Sequence, residues 1–144
     1  MFVLQSRNTN VNNNKAVQRR NVDYNILLIT IKEVIQAMNY TMDDIKQLAL
    51  KQSIVWKRHA LQRMLQRKIL MREVVEAIGT GEIIETYTDD KPFASCLVVG
   101  ITINKRYLHI VCSIDSDLLY IITVYEPDTN KWENDFKTRK KVSE

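Results

Sequence analysis

The chain predicts an α+β fold, with N-terminal helices packed on a four-stranded antiparallel sheet. Two observations carry this. Apolar residues recur at three-to-four spacing between Thr41 and Ile78, and β-branched and aromatic runs separated by turn residues follow from Glu82 to Tyr125. A third is compositional: 144 residues, 45% hydrophobic, with 3 Gly and 2 Pro, suit one ordinary domain and exclude collagen-like or wholly disordered chains. At this length a core is attainable, since a domain of about 150 residues buries roughly 70% of its unfolded surface.

Residues 1–25 hold seven Asn, scattered bases and little apolar periodicity, which predicts a disordered tail; the whole extension to residue 37 is expected to be poorly ordered. Ile26 to Ile35 is apolar and short, readable as a strand or a helix start. Thr41 before Asp43 and Asp44 reads as an N-cap with acids in the first helical turn, and Ile45, Leu48 and Ala49 supply the apolar stripe. A second helix is expected from about Val55 to Lys68. Trp56, Ala60, Leu61, Met64 and Leu65 form its buried stripe, and His59, Arg63 and Arg67 share one face at i, i+4 and i+8. A third helix, Arg72 to Ile78, turns Val74, Val75 and Ile78 inward and stops at Gly79 or Gly81.

Strands are then expected at 82–88, 94–103, 107–114 and 118–125. A three-residue loop, Asp115-Ser116-Asp117, would set Ile114 opposite Leu118, Cys112 opposite Tyr120 and Ile110 opposite Ile122. With Leu97, Val99, Ile101 and Ile103 on that same face, the sheet offers one aliphatic side for the helices. The other side, with Tyr107 opposite Tyr125 and His109 opposite Thr123, is more polar and the expected place for a site.

Charge is segregated more than it is unbalanced. The net charge is +4, yet 46–72 carries eight bases and no acid, 73–90 six acids and no base, and Lys137-Thr138-Arg139-Lys140-Lys141 closes the chain with a second basic cluster. One positive surface for a polyanion follows, unless these are simply solvated helix faces. Cys96 and Cys112 match no metal-ligand spacing and read as reduced, buried residues. No run reaches the ~20 apolar residues of a membrane span, and the N-terminus is too quickly polar for a secretory signal, so a cytoplasmic protein without membrane contact is expected.

P-loop, GxGxxG, HExxH, CxxC and GxSxG motifs are absent, which argues against P-loop nucleotide hydrolysis, zinc-dependent hydrolysis and serine-elbow chemistry. His59, Arg63 and Arg67 on a helix, with His109, Tyr107 and Tyr125 on a sheet, suit metal-free RNA cleavage instead. That reaction needs a base for the 2′-hydroxyl, an acid for the leaving 5′-oxygen and cations for the phosphate; His, Tyr and Arg supply these. The plain alternatives are an exposed helix histidine, arginines paired with the acidic run, and an ordinary cross-strand tyrosine pair.

His59-Ala60-Leu61-Gln62-Arg63-Met64, Arg67, Ile69, Glu73-Val74 and Ala77-Ile78 resemble the opening of a bacterial family, domain of unknown function number forty-two fifty-eight. Gly81-Glu82-Ile83-Ile84-Glu85, Tyr87, Asp89-Asp90-Lys91-Pro92, Leu108-His109, Thr123-Val124-Tyr125-Glu126-Pro127 and Trp132 continue the resemblance, which spans roughly 43–140. It implies a RelE-like toxin domain over 38–144, a fold shared with several metal-independent ribonucleases. It further implies a toxin endoribonuclease acting on mRNA without metal or cofactor. An antitoxin carrying a YgiT-type zinc finger and a helix-turn-helix would be its partner, with the ribosome a further candidate. The expected catalytic residues are His59, Arg63 and Tyr125, and the expected RNA or phosphate contacts are Arg67, Lys91, His109, Lys137 and Arg139. The alternative is a non-catalytic RNA-binding or protein-interaction module on the same fold, a degenerate toxin included. Lys68-Ile69-Leu70 stands where the family has Gly-Ile-Ser, a departure expected to cost ~1 kcal/mol of local stability.

Overall fold

A computed structural model of the chain describes residues 23–31 and 40–142. Residues 1–36 and 37–144 form separate compact units. In the first, 23–31 form helix α1, whose residues are all exposed, so the described part of the ambiguous apolar run, 26–31, is helix and the rest of that run lies outside the described residues. The remainder of the tail expected to be disordered lies outside the described residues.

The second unit opens with α2, Met42–Leu50. The Thr41 hydroxyl accepts from the Asp44 N–H at 3.3 Å while Asp44 accepts from the Thr41 N–H at 2.7 Å, a reciprocal capping box. Ile45 and Ala49 are its buried face. The next segment departs from expectation. Ile54–Trp56 form a short strand, β1, and helix α3 starts only at Arg58 and runs to Arg67. Ser53 O accepts from Leu119 N–H, and Lys57 N–H donates to Ile121 O. Pairing with a sheet edge therefore claims three β-branched or aromatic residues that a helical period also fits. Trp56 still packs on the core, but from a strand. Helix α4 is Met71–Gly79.

Four further strands follow: β2 Glu82–Tyr87, β3 Ser95–Ile101, β4 Tyr107–Asp115 and β5 Leu118–Tyr125. The sheet is five-stranded and mixed, ordered β1-β5-β4-β3-β2, with β1 parallel to β5 and the other pairs antiparallel. This corrects the expectation of four antiparallel strands. The fold class, α+β, stands.

The β4–β5 register also differs. The turn has two residues, Ser116 and Asp117, both at positive φ (48° and 62°), as a type I′ hairpin demands. Asp115 thus faces Leu118, Ile114 faces Leu119 and Cys112 faces Ile121. A bulge at Ile122 then resets the count, so that Ile110 faces Val124 and His109 faces Tyr125. The inward set of β5 becomes Leu119, Ile121 and Val124. On β3 the parity is reversed: Cys96 and Val98 join Leu108, Ile110 and Cys112 under the helices. β3 could not be oriented from its pattern because it is buried on both faces; Leu97 and Val99 are as inaccessible as Val98. Gly100 lies on the helix side, where a Cβ would stand 1.8 Å from the Ala77 carbonyl oxygen of α4. Cys96 and Cys112, paired across β3 and β4, are free thiols 3.8 Å apart in this core.

The second face of the sheet is covered by the segment after β5. Residues 128–140 double back on themselves, joined at the base by a Trp132–Arg139 bridge and shaped by Asp135, whose carboxylate accepts from the N–H groups of Lys137 and Thr138. Trp132 is 3% exposed and meets the His109 ring edge-on at 4.6 Å; Phe136 stacks on Tyr107 at 4.8 Å.

Candidate functional site

β1 pairs with Leu119–Ile121, so among the described residues the rest of β5, 122–125, has no strand partner on that side. α3 packs against β5, and the C-terminal hairpin lies on the other face of the sheet, where Trp132 meets His109. Between them lies a cleft of about 690 Å³, lined by His59, Arg63 and Arg67 of α3, Thr123 and Tyr125 of β5, Glu126, Asp128, Lys131, Trp132 and Arg139. The helical spacing of four brings the first three to one wall. Five of the eight residues singled out from sequence therefore meet in one cavity, from elements up to 80 positions apart.

The other three do not line it. His109 is buried beneath the floor, 5.3 Å from the Tyr125 ring. Its Nε2 is 2.7 Å from the Phe136 carbonyl oxygen and so carries the hydrogen it donates there, leaving Nδ1 buried without a partner among the described residues. Burial lowers its pKa below the ordinary histidine value, against the pull of the Phe136 carbonyl. His109 ties the C-terminal hairpin to the sheet. Lys137 pairs with Glu82 at 3.0 Å, and Lys91 is exposed in the loop between β2 and β3.

Tyr125 and Arg139 are each shaped by their surroundings. Burial raises the Tyr125 phenol above its usual range, so it stays protonated at neutral pH and acts as a donor. Arg139 donates from Nε to Glu85 Oε1 (2.5 Å) and from Nη2 to Glu85 Oε2 (3.0 Å), with its guanidinium 4.5 Å over the Trp132 ring. The Tyr87 hydroxyl donates to Glu85 Oε2 at 2.5 Å. Arg139 holds the Glu85 carboxyl below the usual carboxylate range, and burial with the Glu85 contact pushes the Tyr87 phenol up to about 12.

Sequence reasoning missed Glu85 as a partner of Arg139, and it missed Arg106. The Arg106 guanidinium donates to the carbonyls of Arg67 (2.8 Å) and Lys68 (3.0 Å) at the end of α3, to Glu73 (3.3 Å), and to Glu126 on the cleft rim. It satisfies helix-end carbonyls and neutralises an acid that would otherwise face a polyanion. Glu85 lay within a motif already noted; Arg106 sits in a turn with no periodicity to mark it.

No helix among the described residues is long and apolar enough to cross a membrane. Residues 56–126 match the model of a protein family described as Domain of unknown function (DUF4258). No curated protein and no solved structure matches the chain. Trp132 and Arg139 thus lie beyond the matched stretch.

Proposed function

We propose a function from the cleft itself, since the matched family brings no assigned activity: a metal-independent endoribonuclease acting on mRNA, the toxin of a toxin–antitoxin pair. The observation that supports it best is the convergence of His59, Arg63, Arg67, Tyr125 and Arg139 on one open cavity. His59, exposed at the start of α3, takes the 2′-hydroxyl proton, so that the 2′-oxygen attacks phosphorus and the 5′-oxygen departs. Tyr125, kept neutral by burial, donates to the phosphate or to the leaving oxygen. The three guanidiniums hold the phosphate oxygens as negative charge builds on them. The products are a 2′,3′-cyclic phosphate and a free 5′-hydroxyl, which balances the proton taken by His59 against the one delivered to the leaving group.

RNA is favoured as the substrate because the α3 wall of the cavity is cationic, within the stretch of eight bases without an acid. The antitoxin with a YgiT-type zinc finger and helix-turn-helix, implied by the family resemblance, would restrain the enzyme by occupying this face. The ribosome is a second candidate for presenting the mRNA. Cytoplasmic location follows from that substrate.

The test is cleavage of a long single-stranded RNA by the full chain in EDTA, wild type beside His59→Ala. Fragments ending in 2′,3′-cyclic phosphate from the wild type alone are expected. Equal cleavage by both proteins would remove His59 from the mechanism. RNA binding by both, with no cleavage even when ribosomes are added, would make the domain a binding module.

A further inference from the structure

Arg139 is the one arginine of the cleft that no helix or strand carries, and its side chain is 57% exposed. A long, exposed side chain on irregular backbone samples many rotamers, and fixing it on a ligand costs that rotamer entropy. Here its position is set in advance by three contacts. Glu85 of β2 grips the Nε–Nη2 edge through both carboxylate oxygens, the indole of Trp132 lies under the guanidinium plane, and the backbone bridge to Trp132 fixes the root of the side chain. Glu85 engages two of the five guanidinium N–H groups. Tyr87 in turn donates to Glu85, which orients the carboxylate.

We propose that Glu85 is a positioning residue for the cleft: an acid that strengthens the binding of a polyanion, because it holds Arg139 over Trp132 where a phosphate is received. The inference rests on the RNA reading of the cleft. It makes a distinctive demand. An acid beside a polyanion site ordinarily opposes binding, so removing its charge should tighten it. A carboxylate that merely occupied the phosphate position would also tighten binding on removal. Positioning demands the opposite sign. It also demands that the effect travel through Arg139 alone, whereas a general structural role for Glu85 would act whether or not Arg139 were present.

The experiment measures binding of a fluorescently labelled single-stranded RNA oligonucleotide, by anisotropy, to the full chain in wild-type, Glu85→Gln, Arg139→Gln, Glu85→Gln/Arg139→Gln and Arg63→Gln forms. Thermal melting reports folding of each. Arg139→Gln and Glu85→Gln are each expected to weaken binding, by roughly five-fold or more for the loss of one phosphate-directed guanidinium. The double variant is expected to bind no more weakly than Arg139→Gln. Tighter or unchanged binding by Glu85→Gln, with Arg63→Gln clearly weakened, overturns the positioning role and leaves the RNA reading intact. A Glu85→Gln loss that persists in the Arg139→Gln background likewise overturns it. If Arg63→Gln also binds as wild type does, the RNA reading fails and the proposal fails with it.

Discussion

Lys68→Gly should stabilise the domain. Lys68 ends α3 at φ 54°, ψ 44°, the left-handed conformation that glycine adopts freely and an L-residue adopts at a cost of roughly 1–2 kcal/mol. Against that gain stand about 0.4–1 kcal/mol for the greater freedom of glycine in the unfolded chain and ~0.3 kcal/mol for a lysine charge lost from a helix C-terminus. The backbone bonds are untouched: Ile69 N–H still donates to Met64 O at 2.9 Å, and the Lys68 carbonyl accepts from Arg106 at 3.0 Å through an atom glycine also has. The net is a gain of about 0.5 kcal/mol, up to ~1 kcal/mol if the left-handed cost lies at the top of its range. With a urea m-value of about 1.5 kcal/mol/M, the unfolding midpoint rises by ~0.3–0.7 M at constant slope. Lys68→Ala is the control: alanine keeps the Cβ and the strain, so its midpoint should not rise. An equal rise for both variants, or a fall for Lys68→Gly, refutes the backbone argument.

Gly100→Ala should destabilise the domain by roughly 3 kcal/mol or more, since the added carbon would meet the Ala77 carbonyl and drive α4 off the sheet, whereas Gly79→Ala has open space and should gain up to ~1 kcal/mol; urea melts of both decide it. Arg106→Gln should cost roughly 2–3 kcal/mol, because it leaves Glu73 (9% exposed) without its counter-ion, keeping only the Leu70 N–H, and removes the donor to two helix-end carbonyls; adding Glu73→Gln should recover part of that loss in the same melts. His109 has a folded-state pKa below its unfolded one, so the unfolded chain binds more protons over that window and stability falls as pH drops below about 6.5. Relative to His109→Gln, the wild type should lose stability between pH 7.5 and 5.5, and an unchanged difference between the two would show that the histidine is not held neutral.

Where sequence reasoning succeeded, the information was local. The Thr41 cap with Asp44, the apolar period of α4 and the limits of β5 each depend on residues within a few positions of one another. The wall of the cleft was legible for the same reason, since three residues at a spacing of four must share a helix face. Misreadings arose where one pattern satisfied two structures. Val55 and Trp56 fit a helix stripe or a strand, and only the open edge of β5 selects the strand. β3 is apolar on both faces, so its orientation waits on what covers each side. The hairpin register turned on one loop residue and one bulge, each worth a full reversal of side-chain direction.

By itself, then, the sequence determined the α+β class, the order of α2, α3 and α4 before the antiparallel strands, the free buried thiols and the His59, Arg63, Arg67 face. Periodicity and capping act over one or two turns of chain and need no distant partner. Tertiary structure alone decided that β1 joins β5 in parallel, that the C-terminal hairpin covers the second sheet face, and that Tyr125 and Arg139 share a cavity with the α3 wall. It alone revealed the partnerships of Glu85 with Arg139, 54 positions apart, and of Arg106 with Glu73 and Glu126. Such pairs are chosen by burial and charge in three dimensions, where a buried or half-buried ion must find a counter-ion, and chain distance places no mark on which one it finds.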